Sequence, residues 1–283
     1  MELKNPEQFP VNGLRNLAIR AVTTSHYLYL DVDFWPSSKM YEIFSMKKVK
    51  EFLSADYRNA LVVPAFERSH SKCQRFIFTG KAEEDLEYLD CVEEIYGPMP
   101  GTISQLARQF NEKKTRVFDV HNRDAHQSTN YREWFKLAPG KIRRIKCIKS
   151  NRYEPYLILR KCSLLPPYQE QFTGYGKNKI QHVLHLRHLN YNINVLGGAF
   201  VNHYPHPPSS AKKEWDKLKD EGHVGSKAKE FSEVKGFHRA AMDKFYLDFK
   251  EWLKRNVNAT EDDPESYTSL CDGVTDDDGL QIK

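Results

Sequence analysis

Two carboxylates one residue apart close the run Tyr27-Leu28-Tyr29-Leu30-Asp31-Val32-Asp33-Phe34. At the end of a buried strand, Asp31 and Asp33 would offer oxygen ligands at the mouth of an α/β sheet, where open sheets bind their ligands. Such a pair suits Mn²⁺ or Mg²⁺, which can bridge diphosphate oxygens and stabilise a leaving nucleotide. A plain polar strand-to-loop junction reads the same way, so the apolar strand ahead of the pair carries the weight. A second group runs from Tyr168 to Lys179. Its Gly174-Tyr175-Gly176 turn allows close approach of backbone to a ligand and leads into a helix from Ile180. Glu170 is a carboxylate of the kind that deprotonates a hydroxyl. Lys177 and Lys179 could pair with a phosphate or a sugar carboxylate. A third group, Ala199 to His206, puts His203 just after a strand, where an imidazole could complete a metal site with Asp31 and Asp33.

The elements that must position these groups alternate. Leu14, Leu17, Ala18, Ala21 and Val22 recur at helical spacing. A strand follows at Tyr27 to Leu30, an amphipathic helix at Tyr41 to Leu53, and a buried strand at Ala60 to Ala65. Two helices between Glu83 and Gln109 are split by Gly97-Pro98-Met99-Pro100-Gly101. Short strands are expected at Val117 to Val120, Ile142 to Ile148 and Leu157 to Leu159, and a helix at Ile180 to His188. A further strand at Ile193 to Val201 is broken by Gly197-Gly198, and a long helix covers roughly Phe231 to Trp252. Alternation of this kind predicts an α/β layer whose sheet is mostly parallel. The end is acidic and poor in large apolar residues, which predicts a disordered tail over 256–283 behind a catalytic domain at 1–255.

Composition narrows the class. With 43 basic and 38 acidic side chains, the net charge of +5 is small and dispersed, which argues against nucleic acid as a partner. No apolar run approaches the roughly 18 residues of a membrane span, and the first residues lack the apolar core of a signal peptide. The five cysteines include no C-x-x-C pair, so zinc chemistry has no support, while one or two disulfides remain open. Asn258-Ala259-Thr260 is a glycosylation sequon.

The order of the three groups, with the text between them, resembles glycosyltransferase family 49, the LARGE-type and β1,4-glucuronyltransferase-like enzymes. The blocks are PVNGLRNLA (10–18), YLYLDVDFWPS (27–37), ALVVPAFE (60–67), HQSTNYREW (126–134), YEPYLILRK (153–161), YQEQFTGYGKNKIQHVLHL (168–186) and INVLGGAFVNHYPHPPS (193–209). The resemblance implies a GT-A-like nucleotide-diphospho-sugar transferase fold and an inverting, metal-dependent enzyme that passes a sugar, glucuronic acid first, from a UDP-sugar to an acceptor glycan or glycoprotein. Alternatives are another UDP-sugar donor on the same fold, or a degenerate member that only binds glycans. On this reading Asp31, Asp33 and His203 hold Mn²⁺ or Mg²⁺, and Asn12, Arg15 and Val32 lie near the nucleotide. His126, Thr129, Asn130, Trp134, Glu154, Tyr156, the 174–176 turn, Lys177, Lys179 and His206 shape the donor or acceptor side, and Glu170 is the base.

Two departures accompany the match. Family members carry an acidic residue where this chain has Gln169, and an amide cannot accept a proton as a carboxylate does. Only nine residues precede Pro10, so the first strands of the fold are expected to be missing and the chain to be an N-terminally incomplete core. The full-length protein is expected in the Golgi lumen as a type II membrane protein.

Overall fold

A computed structural model describes residues 9–73, 82–206, 212, 237–257, 268–272 and 274. The sequon at 258–260, residues 207–209 of the last block and the expected helix start at 231–236 lie outside them. The chain runs α1 (Val11–Ala21), β1 (His26–Leu28), β2 (Phe34–Pro36), α2 (Met40–Phe44), α3 (Lys47–Ala55), β3 (Asn59–Val63) and β4 (Ala65–Arg68). It continues through α4 (Ala82–Tyr96), α5 (Ile103–Asn111), β5 (Thr115–Val117), α6 (Tyr131–Trp134), β6 (Ile142–Arg144), β7 (Cys147–Ile148) and β8 (Tyr156–Arg160). Then come α7 (Ile180–His188), β9 (Asn192–Leu196), β10 (Val201–His203), a long helix at Phe237–Asn256 and β11 (Ser269–Leu270).

Two sheets carry the site, one of five strands ordered β1-β8-β3-β9-β6 and one of four ordered β2-β10-β4-β5. The mixed α/β reading holds, but the expected parallel pairing does not. Among the described residues, five strand pairings are antiparallel and three are parallel. Helical crossovers signal parallel neighbours only when they join strands that pair with each other. Here several short strands return beside distant ones instead.

The two sheets are joined at their parallel pairs. Strand β3 passes through Pro64 into β4, and β9 passes through Gly197 and Gly198 toward β10, with β3 parallel to β9 and β4 parallel to β10. The glycines are required here: a Cβ on Gly197 would lie 2.5 Å from the Ala138 carbonyl oxygen, and Gly198 sits at φ +87.

Strand β3 is buried along its whole length. Ala60 and Val62 face one cluster with Leu106, Trp134, Val183 and Leu186. Leu61 and Val63 face another with Ile43, Val49 and Leu53 of α2 and α3. Period-two alternation therefore feeds two cores, one on each face of the sheet. The long helix sets Met242, Tyr246, Phe249 and Leu253 against Ile180 and Leu184 of α7, a helical stripe that clamps α7 in place.

The expected single helix at Tyr41 to Leu53 is two, α2 and α3, parted at Ser45-Met46. The two-helix reading of 83–109 holds, and Thr102 caps α5 in a reciprocal pair with Gln105. Part of the expected disordered tail is anchored. Ser269–Leu270 pairs with β7, Cys271 is disulfide-bonded to Cys147, and fully buried Thr268 accepts a hydrogen bond from the Ile193 amide at 2.9 Å. A second disulfide joins Cys73 to Cys91, leaving Cys162 free. Among the described residues, no helix is long and apolar enough to cross a membrane.

Candidate functional site

The Asp31-Val32-Asp33 segment is the bridge between the sheets. It leaves β1 at the edge of the five-stranded sheet, turns through a hydrogen bond from the Phe34 amide to the Asp31 carbonyl (3.1 Å), and enters β2 of the four-stranded sheet. Each aspartate consequently faces the residues of its own sheet.

Asp31 meets the five-stranded side. Its Oδ1 accepts from the Tyr29 hydroxyl (2.5 Å) and lies 3.6 Å from the Arg15 guanidinium. Its Oδ2 accepts from the Tyr156 hydroxyl (2.7 Å) and from Lys179 Nζ (3.0 Å). Burial opposes its charge, but Lys179, the two hydroxyls and Arg15 together hold its carboxyl well below the usual carboxylate range. Lys179 loses hydration too, yet Asp31, Tyr156 and Glu154 (3.8 Å away) raise its pKa well above the ordinary value. Arg15 stands over the rings of Tyr29 and Tyr168 at 4.7 and 5.4 Å and donates to Asn12 and Asn178. Glu154 behaves in the opposite sense to Asp31: burial, then Asp119 and Asp31, outweigh Lys179 and Arg15 and raise its pKa.

Asp33 meets the four-stranded side. Its Oδ2 lies 3.1 Å from His203 Nε2 and 2.7 Å from His206 Nε2, and the two nitrogens are 3.2 Å apart. Burial again opposes the charge, and the two imidazoles overcome it, holding the carboxyl below its usual range. The Phe34 and Phe118 rings wall His203 at 5.1 and 5.0 Å. Three ligand atoms separated by 2.7 to 3.2 Å match one face of an octahedron with bonds near 2.1 Å, whose edges are about 3 Å. Asp33 Oδ1 is buried and, among the described residues, has no hydrogen-bond partner. Convergent nitrogens and a buried carboxylate oxygen without a protein partner are a donor set that suits a divalent cation. The residues therefore fit a metal, through Asp33, His203 and His206.

The three residues whose ligand atoms converge differ in one member from the expected set. Asp31, with both oxygens engaged by hydroxyls and cations, is not in the group, and His206, expected on the donor or acceptor side, is. The sequence pointed at both histidines through His203-Tyr204-Pro205-His206, but a spacing of three outside a helix does not say which of them turns inward.

Other expected residues divide into those near Asp31 and those that hold the fold. Tyr156, Lys179, Arg15 and Glu154 are in the Asp31 net. Asn12 supports it, accepting from Arg15 and donating to the Gln169 carbonyl (2.8 Å). His126 is buried beside the Phe118 ring, and burial, then Lys179, pushes its pKa down to about 3, so it is neutral. Trp134 is a core residue that donates to the Leu196 carbonyl (2.8 Å), not a sugar contact. Thr129 is paired with the Tyr153 hydroxyl (2.9 Å), and Asn130 caps α6 at φ +49. Lys177 lies 3.5 Å from Asp243 and over the Tyr246 ring, tying the turn to the long helix. Gly174 and Gly176 take φ +59 and +94, and Tyr175 between them is 39% exposed. Glu170 is exposed and accepts from Asn16 of α1 (2.9 Å). Val32 is fully exposed at the rim beside Asp33.

Helix α1 forms where expected but faces the other way. Asn12, Arg15 and Asn16 are its buried side, and Leu14 and Leu17 are 46% and 56% exposed. Tyr29 was missed, although its place two residues before Asp31 on an extended chain puts it on the same side. Trp35 and Tyr204, which border the Asp33 group, were missed as well.

A family model described as "Glycosyl-transferase for dystroglycan" matches residues 1–236. The chain is 31% identical over 207 residues to xylosyl- and glucuronyltransferase LARGE2s of Danio rerio, covering 73% of this chain and 24% of the relative. It is 32% identical over 204 residues to LARGE2 of Mus musculus (71% and 25%) and 30% identical over 207 residues to LARGE1 of Gallus gallus (73% and 23%). The chain spans about a quarter of the length of these relatives. It belongs to this glycosyltransferase family.

Proposed function

We propose that this chain, as a member of that family, carries the catalytic core of a metal-dependent, inverting transferase that moves glucuronic acid from UDP-glucuronate to an acceptor glycan. The observation that carries the reading is the Asp33, His203 and His206 group set beside the cationic Arg15 and Lys179. Two imidazoles and one carboxylate suit Mn²⁺ better than Mg²⁺, which prefers oxygen ligands. When bound, the ion supplies charge for the leaving diphosphate.

The rest of the chemistry belongs to side chains. Arg15 and Lys179 hold positive charge where an anionic donor is received, and Asp31 keeps both in place before the donor arrives. A base removes the acceptor proton as the new bond to the anomeric carbon forms, and the electron pair of the breaking bond leaves with UDP. Glu170 was the expected base, but it is exposed and tied to α1. Glu154 stands 3.8 Å from Lys179, and its pKa is raised, which suits proton acceptance. We assign the base to Glu154.

Glucuronate is favoured by the family resemblance and by the cationic pair. The relatives' names carry xylosyl transfer too, so UDP-xylose is the competing donor. The two disulfides support an oxidising setting, in our reading the Golgi lumen. The test is UDP release from UDP-glucuronate, UDP-xylose and UDP-glucose, with and without Mn²⁺, on chain shown to be folded by circular dichroism. Release that requires Mn²⁺ and is highest with UDP-glucuronate supports the reading. No release from the folded chain with any donor overturns it.

A further inference from the structure

Strand β2 turns Phe34 into the core at 7% exposure and leaves its neighbour Trp35 59% exposed. Trp35 is matched in register by Asn202 of β10, and Tyr204, two residues on, donates its backbone N–H to the Asp33 carbonyl (2.9 Å). The Tyr204 ring is 6.4 Å from the Trp35 ring at 40°, and the buried Arg68 guanidinium stands 5.8 Å from its centroid. Val32 adds an aliphatic side chain that is fully exposed. These three border a cavity of about 360 Å³ completed by Asp33 and His206.

Contiguous exposed apolar surface beside polar groups marks a binding site. The cavity is at the small end of the roughly 300–1,000 Å³ of ligand sites. Among the described residues no Lys or Arg lines it, and Arg15 and Lys179 are on the Asp31 side of the bridge. A neutral pyranose fits both halves of the lining. One face of the ring carries C–H groups that pack on an aromatic plane, and its rim carries hydroxyls that suit the polar edge of the cavity.

We propose that Trp35 and Tyr204 form a stacking surface for the acceptor sugar, on the side of the Asp33 group away from Arg15 and Lys179. The assignment rests on the transferase reading and adds the place of its second substrate. None of the expected site residues included either aromatic residue.

Saturation-transfer NMR with methyl β-xylopyranoside and methyl β-glucopyranoside tests it, on wild type, Trp35→Ala, Trp35→Phe and Tyr204→Ala. UDP binding with Mn²⁺ is titrated separately on the same proteins. Saturation of ring C–H protons is expected in wild type. Trp35→Ala weakens it fivefold or more, Trp35→Phe retains most of it, and UDP affinity changes less than twofold throughout. Because Trp35 is exposed, thermal unfolding should be nearly unchanged, which excludes misfolding as the cause. Sugar contact that is absent in wild type or equal in Trp35→Ala overturns the proposal. So does a UDP affinity that falls with Trp35→Ala, because the surface would then serve the nucleotide. Wild type that binds no UDP with Mn²⁺ sinks the transferase reading instead, and the sugar spectra are read independently of that result.

Discussion

Asp31 and Asp33 are one residue apart in the link between β1 and β2 and nearly equally exposed, at 28% and 26% of their side chains, yet they meet different partners. Asp31 is closed: two tyrosine hydroxyls and two cations occupy its oxygens. Asp33 is open. One oxygen is shared by two imidazole nitrogens that also face each other, and the other is without a partner among the described residues. Exposure therefore does not distinguish the two carboxylates here. The partners do, and they change as the chain passes from β1 toward β2.

The largest effect expected from this contrast is on turnover. Asp33→Ala should reduce UDP-sugar turnover about 1,000-fold or more, equivalent to about 4 kcal/mol in the barrier. An Asp33→Ala protein that retains a tenth of wild-type turnover breaks the contrast. Next comes the base: Glu154→Gln should lower kcat roughly 100-fold or more, with KM for the donor little changed, whereas Glu170→Gln should stay close to wild type. The reverse ranking would return the base to Glu170.

Lys179→Met acts on the closed side. It leaves Asp31 and Glu154 without their shared cation, and a broken, mostly buried pair should cost about 2–3 kcal/mol in urea unfolding. Mn²⁺ affinity should be unchanged if the two regions are separate. The smallest effect is in pH. The folded Asp31 carboxyl lies below its unfolded value, so its stabilisation is complete above the ordinary carboxylate pKa of about 4 and is lost only as pH falls below that. The stability difference between wild type and Asp31→Asn should therefore be flat from about pH 5 to 8.

Much of the site was legible in the sequence because its pieces are local. Asp31-Val32-Asp33 follows an apolar strand, His203 ends another with His206 just beyond it, and the helix at Ile180 to His188 and the break at Gly197-Gly198 appear where read. What escaped was decided by distant partners. The facing of α1 was illegible because Arg15 and Asn16 find Asp31, Asn178 and Tyr168 more than a dozen residues away, and these polar contacts outweigh the apolar pull of Leu14 and Leu17. Trp134 reads as a cleft residue in its motif, but its indole N–H finds a backbone carbonyl on β9, which lets the ring serve the core. The acidic composition of the C-terminus hid a short anchor, since Thr268 and Cys271 act through one hydrogen bond and one disulfide rather than through an apolar pattern. The parallel sheet was over-read because alternation of helix and strand fixes the order of elements and not which strands become neighbours.

The most direct test of the division between the two aspartates is Mn²⁺ titration by isothermal calorimetry on wild type, Asp31→Asn and Asp33→Asn, each shown to be folded. The account predicts one Mn²⁺ site per chain, retained within about twofold in Asp31→Asn and weakened roughly 100-fold in Asp33→Asn. Equal loss in both variants would contradict it, making Asp31 a ligand alongside Asp33 rather than the anchor of the cationic pair.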